Sequence, residues 1–155
     1  MSNQLVVFTL DAQHYALPLE RVQRVVRIVE VTPLPEAQEI VLGVIDLVGN
    51  IVPVISMRKR FGLPEPEALL TDQLLVADLG TRSVALMVNS VKGVIECISE
   101  ERTAAQEIVP GMQHVESMTR LPDGILFIHN LDRLLSKKEE QHLDDVLAQS
   151  AGTGK

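Results

Sequence analysis

The chain has no tryptophan, one tyrosine and three phenylalanines in 155 residues, so aromatics make up only 3% of it. Little is left for stacking on exposed bases, and a net charge of −7 argues the same way against nucleic acid and anionic membrane surfaces. Apolar residues still reach 46%, ample for a core, which is therefore expected to be aliphatic. The single cysteine, Cys97, rules out an internal disulfide framework and a CxxC site. This fits a reducing cytoplasm, and a lone Cys in an apolar stretch is expected as a small buried hydrophobe. The start, MSNQLVVFTLDAQHY, lacks a basic segment and reaches Asp11 too soon for a signal peptide. The length suits one domain, or two small subdomains sharing a chain.

Also missing is an uninterrupted apolar run long enough to span a bilayer. The nearest is IVLGVIDLVGNIVPVISM, residues 40–57. Gly43, Asp46, Gly49, Asn50 and Pro53 break it, and its Val and Ile content favours strands. The Gly49-Asn50 pair reads as a hairpin turn joining two antiparallel strands, 43–48 and 51–56. In that register Val48 faces Ile51, Leu47 faces Val52 and Ile45 faces Val54. One face carries Ile45, Leu47, Val52 and Val54. The other carries Val44, Asp46, Val48, Ile51, Pro53 and Ile55, and is also mostly apolar. It is either buried on both sides or an apolar patch kept for a protein partner.

Elsewhere, strands are expected at 4–10, 14–18, 27–31, 73–79, 82–91, 92–98, 114–121 and 124–129. Leu19–Val26 reads as a short helix, with Leu19, Val22, Val25 and Val26 on one face. Met57–Leu63 reads as a helical turn. Loops are expected at 32–39, 64–72 and 99–113. Ser136–Gln149 is the one long helix, opened by a Ser136/Glu139 capping box and carrying Leu143, Val146 and Leu147 as its stripe. Residues 150–155 are expected as a frayed tail. Many short strands with Gly and Pro turns indicate small barrels or a sandwich, with no repeat of fixed period.

No catalytic or metal template fits. His14, His114, His129 and His142 are far apart, and none has a second His or Cys at ligand spacing. Each is read as a surface or hydrogen-bonded histidine. Ser90, His114 and Asp123 can be drawn as a triad only as any such chain allows. Gly152-Thr153-Gly154-Lys155 lacks the first Gly, the final Ser or Thr, and the strand and helix of a phosphate loop.

Three stretches taken together carry a resemblance: LVVFTLDAQHYALPLERVQRVV, a Thr-Pro-Leu-Pro loop, and GVIDLVGNIVPVISMRKRFGLP. With ALMVNSVKGVIE (85–96) and LPDGILFIHNLDRLL (121–135), they resemble the CheW-like domain family in order, over roughly residues 4–149. The resemblance implies a mostly β fold of two small five-stranded SH3-like barrels packed together, with short helices and a C-terminal helix, as one domain over 1–149. It implies a non-catalytic adaptor, without cofactor or metal, linking the cytoplasmic tips of methyl-accepting chemoreceptors to the regulatory domain of a CheA-type histidine kinase. By position, the kinase-facing candidates are Val22, Arg24, Val25, Gly43, Val48 and Gly49. Val44 and Ile51 are expected to centre the apolar patch, with Arg21 and Arg24 at its rim.

The sequence departs from the family pattern at four places. Val48 stands where the family has Arg, Arg24 where it has Glu, and Ser56 and Asn89 where it has Asp. These departures put the standard partner, not the fold, in question. The alternative is a small ligand-binding barrel or hydrolase using the cleft between the subdomains. The net charge and the single candidate patch lead us to expect a monomer in isolation.

Overall fold

The computed structural model describes residues 4–35, 37–63, 72–98, 102–104 and 114–153. The strands are β1 (Gln4–Leu10), β2 (Gln13–Pro18), β3 (Val22–Arg27), β4 (Val41–Leu47), β5 (Asn50–Ser56), β6 (Gln73–Asp78), β7 (Ser83–Val88), β8 (Ser90–Glu96), β9 (Thr103–Ala104), β10 (Val115–Leu121) and β11 (Gly124–His129). The helices are α1 (Met57–Arg60) and α2 (Lys137–Thr153), with 3-10 turns at Leu19–Arg21 and Leu131–Arg133. The expected 64–72 loop, apart from Asp72, and most of the 99–113 connection lie outside the described residues.

The strands form two sheets, ordered β8-β1-β2-β11-β10-β9 and β3-β6-β7-β5-β4. The first has six strands instead of the expected five because the two-residue β9 adds to β10. The chain opens in the first sheet, builds the second entirely, and returns. Both sheets share one pairing scheme. A hairpin (β4–β5 or β10–β11) lies parallel to a strand (β7 or β2), whose antiparallel neighbour (β6 or β1) pairs with an edge strand (β3 or β8). The scheme recurs without any fixed sequence period.

Strand alternation explains the packing. In β6, Leu74 and Val76 face an aliphatic core with Ile45, Val52, Val54, Ala85 and Met87. Its Leu75 and Ala77 face the opposite way, into a cluster shared with Phe8, Leu17, Leu86 and Leu143. In β1, Leu5 and Val7 join a third core with Ala16, Leu126 and Ile128, while Val6 and Phe8 face the shared cluster. Strands buried on both faces read as continuous apolar runs. Residues of both edge strands of the second sheet, Val26, Leu42 and Leu47, meet the same core, so that sheet curls around it. Cys97 is buried in the third core, as expected.

The structure corrects the expected Leu19–Val26 helix. Only Leu19–Arg21 turn, and Val22–Arg27 extend as β3 against β6. Three β-branched valines disfavour helix, and pairing with β6 outweighs the helical spacing. The strand ends at Arg27 and does not continue to Val31; Thr32 instead makes an isolated bridge to Val44.

The hairpin turn is also corrected, from Gly49-Asn50 to Val48-Gly49. Leu47 pairs with Asn50, Asp46 with Ile51, Ile45 with Val52 and Val44 with Pro53. The Gly49 amide donates to Asp46 Oδ1 at 3.0 Å, and Val48 and Gly49 both take positive φ (50° and 85°). A two-residue loop with both φ positive matches the twist of its strands, and the Asp46 side chain pins it there. The slip is by two positions, so each side chain keeps its expected face. The α2 capping box is present: Ser136 Oγ accepts from the Glu139 amide at 3.1 Å, and the Ser136 amide donates to Glu139 Oε1 at 2.8 Å. The helix continues past Gln149 to Thr153, so the expected tail is helical over 150–153 and Gly152-Thr153 form no phosphate loop.

Candidate functional site

The β4–β5 hairpin changes character along its length. Ile45, Val52 and Val54 are in the core, and on the second face Pro53 and Ile55 are buried. Toward the tip that face opens to water: Val48 is 82% exposed and Ile51 61%, while Val44 is half-buried. The second face is thus buried at its base and exposed at its tip.

Strand β3 supplies the neighbouring surface. Arg24 and Val25 are exposed, Val25 at 39%, on an edge strand whose register against β6 shifts between Val22 and Arg24. Val22 is half-buried and packs on the shared core. An open groove of about 550 Å³ lies between β3 and the hairpin tip. Its floor is Val52 and Val76, both buried. Gln23 and Arg24 flank it on one side, Val48 and Ile51 on the other, and Arg82 and Leu147 line it as well. Arg24 and Val48, the two departures nearest the hairpin, thus border one groove. Arg82 and Leu147 were not singled out as site residues, since no local pattern links positions so distant in sequence.

Gly43 stands apart from the surface group. It is buried with φ +151°, and a Cβ there would lie 2.3 Å from the Thr32 carbonyl oxygen. Thr32 and Val44 exchange two 2.8 Å backbone hydrogen bonds at that crossing. Close backbone approach accounts for this glycine. Gly49 is exposed in the turn, and its Cβ position is open.

The other two departures are structural. Ser56 caps α1, its Oγ accepting from the Lys59 amide at 3.1 Å. Asn89 Oδ1 accepts from Arg58 Nη2 at 2.9 Å and from the Asp11 amide at 2.5 Å, and its Nδ2 donates to Asp72 Oδ1 at 3.4 Å. Arg58, itself buried, also donates to Asp11 Oδ1 at 2.7 Å, which holds the Asp11 carboxyl below its usual range. This cluster ties α1 and the β6 entrance to the β1–β2 turn of the other sheet.

Two of the three residues drawn as a triad, Ser90 and His114, are engaged elsewhere. Ser90 Oγ lies 3.0 Å from Thr9 Oγ1, and His114 Nδ1 lies 3.1 Å from the Arg133 carbonyl. Among the described residues no three His, Cys, Asp or Glu side chains gather as metal ligands. His129 overturns the expectation of a surface or hydrogen-bonded histidine: it is 1% exposed, and neither ring nitrogen has a protein partner. Burial, with His114 and Arg60 nearby, lowers its pKa to about 3. Among the described residues no helix is long and apolar enough to cross a membrane.

Comparison with known proteins agrees with this architecture. The family model of the CheW-like domain matches residues 4–139. The chain is 25% identical over 149 residues to the chemotaxis protein CheW of Treponema pallidum, covering 92% of this chain and 88% of that one. With the Bacillus subtilis chemotaxis protein CheW it shares 27% over 145 residues, covering 89% and 90%. The crystal structure of the scaffolding protein TtCheW from Thermoanaerobacter tengcongensis superposes with a TM-score of 0.81 at 27% identity, over 90% of this chain and 96% of that one. With a family match over nearly its whole length and a fold shared with a solved scaffold of that name, the chain belongs to the CheW-like domain family.

Proposed function

We propose that the protein is a non-catalytic adaptor that couples chemoreceptors to a CheA-type histidine kinase, and that the kinase's regulatory domain docks on the β4–β5 hairpin tip and β3. The observation that carries the docking site is Val48. It is an apolar, β-branched residue held at positive φ and left 82% exposed, beside Ile51 and across a groove from Arg24. Strain and exposed apolar surface at one residue are both unfavourable in the isolated fold, and a partner that covers the tip recovers the second. Val25, Val44 and Gly49 complete the surface, and Arg24 gives it a cationic rim, whereas Arg21, also expected there, donates to the Asp78 carbonyl at 2.8 Å and pairs with Asp132 at 3.2 Å. The receptor tip docks near the junction of the two sheets. The space between the sheets is filled by Phe8, Leu17, Leu75, Leu86 and Leu143, which disfavours a ligand-binding or hydrolytic cleft there.

The test is a calorimetric titration with the regulatory domain of the CheA-type kinase from the same organism. Arg24→Glu combined with Val48→Arg restores the family's charges on two surface positions. The double variant should fold and bind at least about 2 kcal/mol more weakly. Unchanged affinity in a folded double variant would remove the hairpin from the kinase interface.

A further inference from the structure

We infer that the groove is a socket for one protruding apolar side chain of the partner protein with a carboxylate beside it, and that the C-terminal helix forms its third wall through Leu147. The inference rests on the docking reading above and extends it to an element far beyond the hairpin in sequence.

The position of Leu147 is set by a row of contacts along α2. Arg60 Nη2 donates to Glu139 Oε2 at 2.7 Å, Thr81 Oγ1 donates to Glu140 Oε1 at 2.8 Å, and Arg82 pairs with Asp144. Leu143 and Val146 are buried beneath them. These contacts fix two successive turns of the helix against α1 and the β6–β7 turn. The following turn then brings Leu147, only half-buried, to the groove beside Arg82.

Charge and shape identify the occupant. The two charged residues that line the groove, Arg24 and Arg82, are both cationic in a chain of net charge −7. Among the described residues Arg24 is exposed and has no carboxylate partner, whereas Arg82 is already paired with Asp144. A carboxylate from outside pairs with Arg24, the exposed cation the fold leaves without one. At about 550 Å³ the open groove has room for a large apolar side chain together with the groups beside it. A free small molecule in it would cover only the groove-facing sides of Val48 and Ile51. A protein surface with one anchoring side chain covers both.

The probe is the same kinase regulatory domain. Leu147→Ala should keep the melting temperature within a few degrees and weaken binding about tenfold, and Arg24→Gln should weaken it by a similar factor. Because Leu147 also touches the core, a second measurement needs no variant: the ¹³C-methyl resonances of Leu147 in the parent should shift on titration. Unmoved Leu147 methyls with unchanged Leu147→Ala affinity, while Arg24→Glu/Val48→Arg still loses binding, would overturn the third wall and leave the docking reading standing. Full affinity for Arg24→Gln would overturn the acidic anchor. Full affinity for the double variant would overturn the docking reading and this inference with it.

Discussion

Val48 bears two costs at once. A β-branched residue at φ 50° is strained by about 1–3 kcal/mol, and its side chain is almost wholly in water. Asparagine tolerates that backbone region, and Asn-Gly is the preferred pair for a turn with two positive φ values. Val48→Asn should therefore raise stability by about 1 kcal/mol, read as a higher urea midpoint, while weakening kinase binding. A variant that loses stability would show that Val48 packs on something in the folded chain. Gly43 makes the opposite case. Gly43→Ala drives a methyl into the Thr32 carbonyl and should cost at least about 2 kcal/mol with no direct effect on a docking surface. The departure at Asn89 also follows from its neighbours. An aspartate there would set a carboxylate against Asp72 and the already paired Asp11, whereas the amide donates to Asp72 and its neutral oxygen shares Arg58 with the Asp11 carboxylate.

Among the elements, α2 was legible in detail because its signals are local. A serine, a glutamate three residues on and an apolar stripe specify a start and a face, and the two capping bonds form as expected. Ser136→Ala should cost about 1 kcal/mol and fray the first turn, measurable as faster amide exchange at Glu139. The same variant should leave hairpin exchange unchanged. The hairpin was legible as an element but not in its turn. Gly-Asn and Val-Gly both supply a glycine, and the choice falls to the Asp46 carboxylate, whose reach to the Gly49 amide appears only in three dimensions. β3 was misread because Val22, Val25 and Val26 satisfy helical spacing. Its partner β6 lies far along the chain, and propensity alone cannot announce it. The candidate site divides likewise. Val48, Ile51 and Arg24 stand on the surface the sequence suggested, Gly43 proved to be backbone packing, and Arg82 and Leu147 join only through the helix contacts.

At the scale of the whole molecule, the scarcity of aromatics has a spatial counterpart: all four sit in one cluster. Tyr15 lies 5.9 Å from Phe8, 4.7 Å from Phe61 and 5.7 Å from Phe127, ring centre to ring centre. Phe61 in turn meets His129 edge-on at 5.3 Å, and His114 stacks on His129 at 6.5 Å. The two small cores remain aliphatic, and the rings mark where the first sheet, the segment after α1 and the approach to α2 converge. His129 gives that junction a pH dependence. Its pKa falls from 6.5 to about 3 on folding, first by burial and then by the charges of His114 and Arg60. Between those values the unfolded chain binds one more proton than the folded one, so stability falls as pH falls, by about 1.4 kcal/mol per pH unit. Well above pH 6.5 the group contributes no slope. His114, also lowered by burial, adds to the loss, as does Glu139, whose bond from Arg60 is lost as pH falls through its depressed pKa. Urea unfolding at about pH 7.5, 6.5 and 5.0 should show little change over the first interval and a loss of at least about 1.5 kcal/mol over the second. His129→Leu removes the buried ionisable group from that site and should flatten the second interval by most of that amount, even if its stability at the highest pH differs from the parent. Parallel pH profiles for parent and variant would mean that His129 accepts its proton within the folded junction, and that the acid sensitivity of the fold arises elsewhere.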